Sequence, residues 1–360
     1  MHQTDTMNFP ISITPVAFSR INEVDFDNIP FGKIYADHMF VADYSDGQWE
    51  NARIVPFDNI SMPPSSSALH YGQLIFEGMK AYKDQEGNPV IFRPRMNWQR
   101  FNKSAIRMAM PEVPESLFMG ALNELIRIDQ EWIPTHKGSA LYIRPFMIAT
   151  EEYIGIRPAE KFSMIIFTCP VGAYYPRPVK VLVSEFYVRA FKGGTGFAKA
   201  AGNYAATMQP IKEAHKQGYD QLLWMDGCEH KYIHEIGTMN VFFVIDNKVV
   251  TPSIQDGEIL DGVTRDSVIT ILKNKGIPVE ERKVTIDEVY NAYINGRLQD
   301  AFGTGTAATI APISDLGYKG ENLELPPVSG RDISNMLKDE LENIKTGRTD
   351  DRFNWVYRVN

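Results

Sequence analysis

The spacing of apolar residues switches repeatedly between the period of a β-strand and that of an α-helix, and this alternation constrains the fold more than any other feature. Runs rich in β-branched and aromatic residues predict strands at 140–148, 164–168, 179–186, 221–225, 241–245 and 279–284. Apolar residues three and four apart after Asn97 predict a helix, and similar patterns predict helices over 114–132, 264–274, 285–294 and 329–344. Because the two kinds of element alternate unevenly, we expect a mixed α/β or α+β fold and not a regular parallel barrel.

The length of 360 residues favours two domains. The segment 172–180, GAYYPRPVK, carries one glycine and two prolines between two predicted strands, which is typical of a linker. We therefore predict a small N-terminal α/β domain over 1–172, an interdomain loop over 173–179 and a large C-terminal domain over 180–360.

The charge balance and the cysteines exclude several classes of protein. The chain has 45 acidic and 37 basic side chains with no basic block, so we expect no nucleic-acid partner. No run of about 18 apolar residues and no signal peptide is visible, so we expect no membrane association. With only Cys169 and Cys228, the chain is expected to be cytoplasmic. His230 and His234 lie four apart without a third ligand, so no metal site is predicted.

Two segments contain residues suited to covalent and phosphate chemistry. The run from Phe191, FKGGTGFAKAAGNYAAT, surrounds Lys199 with small residues, a setting in which an amine is desolvated and reacts with carbonyl groups. Glu235 lies beside a predicted strand. The helix beginning near Gly262 offers N–H groups to a phosphate. The alternatives are a solvated surface lysine, a solvated carboxylate and an ordinary helix cap.

The second of these segments, from Glu235 to Arg265, resembles the class IV (fold-type IV) pyridoxal-phosphate aminotransferases. The family pattern is filled, in order, by Glu235, Gly237, Asn240, Val241, Phe242, Thr251, Gly262, Val263 and Arg265. From about residue 67 to the C terminus the resemblance narrows to the branched-chain amino acid aminotransferases, through SALHYGQLIFEGMKAY, FRPRMNWQRFNKSAIRM, LYIRPF, CPVGAY, KAAGNY and GTGTAATIAP. QLLWMDG and EIGTMNVFF are closer to the mammalian-like branch. Ala308 and Ala311 stand where mammalian members carry a CxxC pair, so redox control through that pair is absent.

This resemblance implies a fold-type IV enzyme of two domains with the cofactor site between them. It implies that Lys199 forms a Schiff base with pyridoxal phosphate and then moves the proton of the substrate α-carbon. By the same resemblance Glu235 bonds the pyridine nitrogen, which keeps the ring protonated, and Tyr204 bonds the phenolic oxygen. The implied phosphate site consists of Arg100, the backbone N–H groups of Val263 and Thr264, and the hydroxyl of Thr306.

The implied substrate pocket is aromatic and aliphatic. It consists of Tyr71, Phe76, Tyr142, Thr238, Ala307, Ile154 and Ile156. Tyr142 and Arg144 are two apart on a predicted strand and therefore face one side, where they and the N–H groups of Thr306 and Ala307 are candidates to orient the substrate carboxylate. In the family the loop matching 151–156 reaches into the neighbouring subunit, which implies a homodimer. The alternative is that this loop packs in its own core.

The predicted function is a ping-pong transaminase that moves an amino group between L-leucine, L-isoleucine or L-valine and 2-oxoglutarate. Arg144 and Tyr71 are the candidates for the second carboxylate of glutamate. A D-amino acid aminotransferase or an aminodeoxychorismate lyase of the same fold is the first alternative, although HYGQLIFEG and LYIRP favour the branched-chain group. A non-catalytic binding protein and a metal-dependent hydrolase are the alternatives from other classes.

Overall fold

The computed structural model describes residues 9–172 and 174–360. These residues divide into two compact units. The N-terminal unit contains the described chain up to Tyr174 together with Ala198–Gly202 and Asn343–Asn360. The C-terminal unit contains Tyr175–Phe197 and Asn203–Glu342. Two short segments that the sequence-based division places after residue 180 therefore group with the N-terminal unit, because Ala200 bridges Ile75 and the last strand of the chain pairs near residue 91.

Strands and helices alternate along the N-terminal half of the chain. The strands are β1 (Ser12–Ile13), β2 (His38–Ser45), β3 (Gln48–Pro56), β4 (Leu74–Phe76), β5 (Met79–Lys83), β6 (Pro89–Phe92), β7 (Ala140–Ala149) and β8 (Phe162–Val171). The helices are α1 (Ser67–Tyr71), α2 (Pro94–Arg107) and α3 (Glu115–Ile128), with 3₁₀ turns at Ile21–Glu23 and Gln130–Trp132.

The remaining chain contains more strand than helix. Its strands are β9 (Val179–Val183), β10 (Gln221–Met225), β11 (Ile233–Ile236), β12 (Met239–Ile245), β13 (Lys248–Pro252), β14 (Val279–Arg282), β15 (Leu298–Gly305), β16 (Thr309–Tyr318), β17 (Glu321–Glu324) and β18 (Val356–Arg358). Its helices are α4 (Ala201–Ala205), α5 (Met208–Lys216), α6 (Val263–Asn274), α7 (Ile286–Ile294) and α8 (Asp332–Lys345), with a 3₁₀ turn at Val328–Gly330.

The sheet of the N-terminal unit has the order β1-β3-β2-β8-β7-β5-β6-β18, and β4 pairs with β7. Helices α2 and α3 supply apolar side chains to its core. Phe101 of α2 and Leu117 and Phe118 of α3 are fully buried in one cluster with Phe40 and Ile143 of the strands. Apolar residues spaced three and four apart along each helix produce one apolar face, which burial against the sheet stabilises.

The sheet of the C-terminal unit has the order β11-β10-β9-β16-β15-β12-β13-β14, with β17 paired to β16. β11 also pairs with β12, so the path from β11 through β10, β9, β16 and β15 to β12 closes on itself. This closure covers the edge that β11 would present in an open sheet. Phe242 and Phe302 are fully buried cross-strand partners whose rings stack 5.3 Å apart.

Most of the predicted elements are present with shifted ends. The predicted strand at 179–186 ends at Val183, where the Ser184 hydroxyl bonds the carbonyl of Tyr187 and turns the chain. The predicted helix at 329–344 begins at Asp332 because a 3₁₀ turn follows two prolines. The helix predicted over 114–132 ends at Ile128, and a 3₁₀ turn follows it. No helix within the described ranges is long and apolar enough to cross a membrane.

Candidate active site

The backbone of Lys199 is fixed on both sides within the N-terminal unit. Its carbonyl accepts a hydrogen bond from the Phe76 amide at 3.0 Å, and its amide donates to the Ser104 hydroxyl at 2.9 Å. The next residue, Ala200, bridges Ile75 of β4. The amine lies 4.8 Å from the centroid of the Phe76 ring, so the side chain extends over an aromatic face. Lys199 and Phe76, both predicted site residues, are therefore neighbours.

One face of α2 presents Asn97, Arg100 and Ser104, which are three and four residues apart. Arg100 is 8% exposed and forms a two-point ion pair with Glu77, which is fully buried. Arg100 Nε donates to Glu77 Oε1 at 2.7 Å, and Nη2 donates to Oε2 at 2.9 Å. Asn97 Nδ2 and the Gly78 amide also donate to Oε2, at 2.7 and 3.1 Å. This arrangement holds the guanidinium of Arg100 in one plane.

Sequence reasoning named Arg100 and missed Glu77. The available signal was a single carboxylate inside the apolar run LIFEGM, because a charge that is buried with apolar neighbours requires a partner. Burial alone would raise the pKa of Glu77, but the charge and hydrogen bonds of Arg100, with smaller effects of Lys199 and Asn97, hold that pKa below its ordinary value. Glu77 therefore remains ionised at neutral pH.

Tyr142 and Arg144 of β7 face the same side, as their spacing of two predicts, and Arg144 Nη2 donates to Tyr142 Oη at 3.1 Å. The Arg144 guanidinium also lies 4.8 Å from the Phe76 ring centroid. Phe31 packs edge-on against Tyr142 at 5.6 Å and against Tyr174 at 4.7 Å. Sequence reasoning missed Phe31 and Tyr174 because both lie in irregular segments without periodicity, where only their aromatic character was a signal.

Tyr71 and the loop at 151–156 form a second part of the predicted pocket. Tyr71 Oη donates to the carbonyl of Ile154 at 2.5 Å. Ile154 is 64% exposed and Ile156 is 90% exposed in the single chain. The loop therefore does not pack in the core of its own unit, which rules out the alternative considered for this loop.

In the C-terminal unit, Glu235 of β11 lies opposite Asn240 of β12 and is buried. Asn240 Nδ2 donates to Glu235 Oε1 at 3.2 Å and to the Leu260 carbonyl at 2.9 Å. Arg189 Nη2 lies 2.5 Å from Glu235 Oε2, with its side chain 9% exposed. Sequence reasoning missed Arg189, whose signal was again one charge beside apolar residues. The carboxylate of Glu235 is thus oriented by donors on both of its oxygens.

The start of α6 lies beside the same asparagine. Gly262 precedes the helix, and a Cβ added there would lie 2.0 Å from Asn240 Oδ1, so only glycine fits without moving that side chain. Val263 and Thr264, the first two helical residues, are buried. Their N–H groups belong to the first turn of α6 and have no partner within the helix, which suits an anion.

Thr306 and Ala307 lie in the turn between β15 and β16 and are half-buried. A Cβ added at neighbouring Gly305 would lie 3.3 Å from Met239 Cγ and 3.8 Å from the carbonyl of Thr238. The structure therefore brings this turn close to the β11–β12 hairpin that carries Thr238. Tyr204 is half-buried on the short helix α4.

His234 precedes Glu235 and points into the interior of the C-terminal unit, with 8% of its side chain exposed. Burial, with a smaller effect of the positive charge of Arg189, lowers the pKa of His234 to about 4. The imidazole is therefore neutral at physiological pH. Its Nε2 lies 3.8 Å from the carboxylate of Glu258.

Each unit contains some of the groups that pyridoxal phosphate requires. The cofactor requires an amine for its aldehyde, an anionic partner for its ring nitrogen, and cations and N–H groups for its phosphate. The N-terminal unit supplies an anchored lysine and a buried arginine, Lys199 and Arg100. The C-terminal unit supplies a buried, oriented carboxylate at Glu235 and the N-terminus of α6.

Comparisons with known proteins agree with this donor set. Residues 74–316 match the model of the family described as amino-transferase class IV. The chain is 44% identical over 340 residues to branched-chain-amino-acid transaminase 1 of Bacillus subtilis, covering 93% of this chain and 95% of that protein. The crystal structure of the Escherichia coli branched-chain amino acid aminotransferase superposes with a TM-score of 0.74 at 28% identity, covering 90% of this chain and 99% of that one.

A second solved structure carries a ligand. It is a T.th. branched-chain amino acid aminotransferase complexed with N-(5'-phosphopyridoxyl)-L-glutamate, similar with a TM-score of 0.70 at 28% identity over 89% of this chain and 98% of that one. The family match covers more than half of the chain, and the B. subtilis relative exceeds 30% identity over nearly its whole length. The chain therefore belongs to the branched-chain amino acid aminotransferases, within the class IV aminotransferase family.

Proposed function

We propose that this protein transfers the amino group between L-leucine, L-isoleucine or L-valine and 2-oxoglutarate, in a reversible ping-pong reaction with pyridoxal phosphate. The observation that carries the proposal is the fixed backbone of Lys199 between Phe76 and Ser104, in a chain whose relatives are named for this activity. The T.th. relative was solved with a phosphopyridoxyl-glutamate compound, which supports glutamate as the second amino-acid substrate.

Lys199 carries the cofactor at rest and acts as the general base when substrate is bound. The cofactor supplies an electron sink that stabilises negative charge at the substrate α-carbon. With substrate bound, the Nζ of Lys199 would accept the α-proton as a general base and return it later as a general acid. The anchoring of the backbone at Phe76 and Ser104 limits the positions that Nζ can take.

Glu235 accepts a hydrogen bond from the pyridine N–H and holds the proton there. Arg189 and Asn240 orient its two oxygens, so the carboxylate keeps one position while charge develops on the ring. Tyr204 bonds the phenolic oxygen of the cofactor. The phosphate is held by Arg100, the N–H groups of Val263 and Thr264, and the hydroxyl of Thr306.

An apolar pocket selects the substrate side chain. We assign it to Tyr71, Phe76, Tyr142, Thr238, Ala307, Ile154 and Ile156. Such a pocket discriminates by only about 1 to 3 kcal/mol per methylene, which accounts for a preference shared by three branched-chain amino acids. Arg144, stacked on Phe76 and bonded to Tyr142, orients the substrate carboxylate with the N–H groups of Thr306 and Ala307. Arg144 and Tyr71 are also our candidates for the second carboxylate of glutamate.

The same proposal includes a homodimer in the cytoplasm. The exposure of Ile154 and Ile156 supports a second subunit that covers them, because two exposed isoleucines in one short loop are unfavourable in water. The presence of only two cysteines supports the compartment. We place the interdomain loop at 173–179, where the chain passes from the N-terminal to the C-terminal unit. Measuring the molecular mass of wild type and of Ile156→Lys in solution tests the dimer. A wild-type protein with the mass of a monomer would contradict it.

Borohydride reduction followed by peptide mapping tests the cofactor lysine. Reduction should fix the cofactor to the peptide that contains Lys199. Lys199→Ala should abolish transamination, whereas Lys192→Ala, an exposed lysine in the same segment, should leave it unchanged. A label on a different lysine contradicts the assignment.

A substrate panel tests the reaction. We expect turnover with L-leucine, L-isoleucine and L-valine when 2-oxoglutarate is the acceptor. Activity with D-alanine alone would instead establish the D-amino acid aminotransferase alternative. Formation of pyruvate from aminodeoxychorismate without transamination would establish the lyase.

A further inference from the structure

We propose that Glu77 is a positioning residue that orients Arg100 toward the cofactor phosphate. This inference rests on the proposed role of Arg100 and adds a residue that does not itself touch the cofactor. It applies to the N-terminal unit alone, where both residues lie.

The geometry assigns one edge of the Arg100 guanidinium to Glu77. That edge, Nε and Nη2, donates to the two carboxylate oxygens at 2.7 and 2.9 Å. A guanidinium is planar, so fixing one edge fixes the direction of the opposite edge, which contains Nη1. A phosphate bound by Arg100 must therefore approach that opposite edge. Glu77 thus determines the direction from which the phosphate is recognised.

Glu77 is itself held rigidly. Asn97 Nδ2 and the Gly78 amide donate to Oε2, and the backbone amide of Glu77 donates to the Pro145 carbonyl at 2.7 Å. Its side chain is completely buried, whereas Arg100 is 8% exposed. A carboxylate held by its own backbone and by these two donor groups transmits that order to the arginine.

The pair also balances charge. Arg100 is almost completely removed from water, and an unpaired buried cation is strongly destabilising. Glu77 supplies the counter-charge whether or not a phosphate is bound. The low pKa of Glu77 is consistent with this, because it keeps the carboxylate ionised. The same carboxylate also experiences the charge of Lys199.

Glutamine cannot reproduce this arrangement. If its carbonyl oxygen takes the place of Oε2, it accepts from Arg100 Nη2, Asn97 and Gly78. Its NH₂ group then takes the place of Oε1 and faces the Nε–H of Arg100, donor against donor. The guanidinium must turn away from its present plane. Glu77→Gln therefore changes the orientation of Arg100 with almost no change in side-chain volume.

The experiment measures how tightly the cofactor-free protein binds pyridoxal phosphate and pyridoxal, which lacks the phosphate. Removal of partners that orient metal-binding residues weakens binding by about 10- to 100-fold, and we expect at least about tenfold weaker pyridoxal phosphate binding in Glu77→Gln. Pyridoxal binding should change less than about twofold, because only the phosphate contact is affected. Glu115→Gln is the matched control, since Glu115 forms an exposed ion pair with Arg95 of α2. It should bind both compounds like wild type.

The outcomes separate this inference from the proposed function. Equal weakening for both compounds, unchanged binding of both, or tighter pyridoxal phosphate binding would each overturn the positioning role. Glu77→Asp keeps the charge but is one methylene shorter, so it should show the same phosphate-specific loss, and it replaces Glu77→Gln if that variant does not fold. If Arg100→Gln also leaves pyridoxal phosphate binding unchanged, the assignment of Arg100 to the phosphate fails, and with it this inference.

Discussion

Replacing His234 by glutamine should make the protein less sensitive to acid. The histidine pKa is lowered from 6.5 to about 4 by burial and by the charge of Arg189. As pH falls below 6.5, the unfolded chain binds a proton at this position and the folded chain does not, so stability decreases until the folded pKa is reached. Each pKa unit corresponds to about 1.4 kcal/mol, which gives a loss of about 2 kcal/mol between about pH 8 and pH 5 from this one residue.

Thermal unfolding of the protein with its cofactor at several pH values measures this loss. At about 2.1 cal/mol/K of unfolding entropy per residue, a chain of 360 residues shifts its unfolding temperature by about 1.3 °C per kcal/mol, so wild type should lose about 3 °C more than His234→Gln between about pH 8 and pH 5. His215→Gln is the matched control, because His215 is exposed in the same unit, and it should follow wild type. If wild type and His234→Gln lose stability in parallel, the reasoning from burial is wrong.

Three further predictions concern packing and reactivity. Gly78→Ala should raise the KM for L-leucine at least about tenfold, because the added Cβ would lie 2.1 Å from Tyr142 Oη and must displace that ring. An unchanged KM in steady-state kinetics would contradict this prediction. Phe302→Ala should lower the free energy of unfolding by about 3 to 5 kcal/mol, measured by denaturant titration, since the ring is fully buried. In the native protein, iodoacetamide should alkylate the exposed Cys228 and leave Cys169 unmodified, because burial raises the pKa of the Cys169 thiol to about 11. Mass spectrometry of the modified peptides shows which cysteine has reacted.

Those parts of the site that depend on local sequence were predictable. The start of α6 follows from Gly262 and the apolar spacing after it, and the shared side of Tyr142 and Arg144 follows from a separation of two on a strand. Outside the site, the turn at Asp246 and Asn247, where both residues have positive φ, also follows from its composition.

The parts that depend on distant pairing were not predictable. Glu77 and Arg100 are 23 residues apart, and no local pattern shows that they meet. Arg189 reaches Glu235 only through the folded sheet. Strands β15 and β16 were missed because glycine, alanine and aspartate have low strand propensity, and pairing in the closed sheet overrides that preference.

The two-residue turn of the β11–β12 hairpin has a consequence for how this family can vary. Glu235 and Ile236 pair with Asn240 and Met239, and Gly237 with φ of +52° and Thr238 complete the loop. A one-residue insertion or deletion there would shift the register and turn Glu235 to the opposite face of its strand. Because Thr238 is exposed, replacing its side chain keeps the register of the hairpin, whereas changing the number of residues in the turn does not. Homologous enzymes should therefore differ at this turn in side chains and never in length.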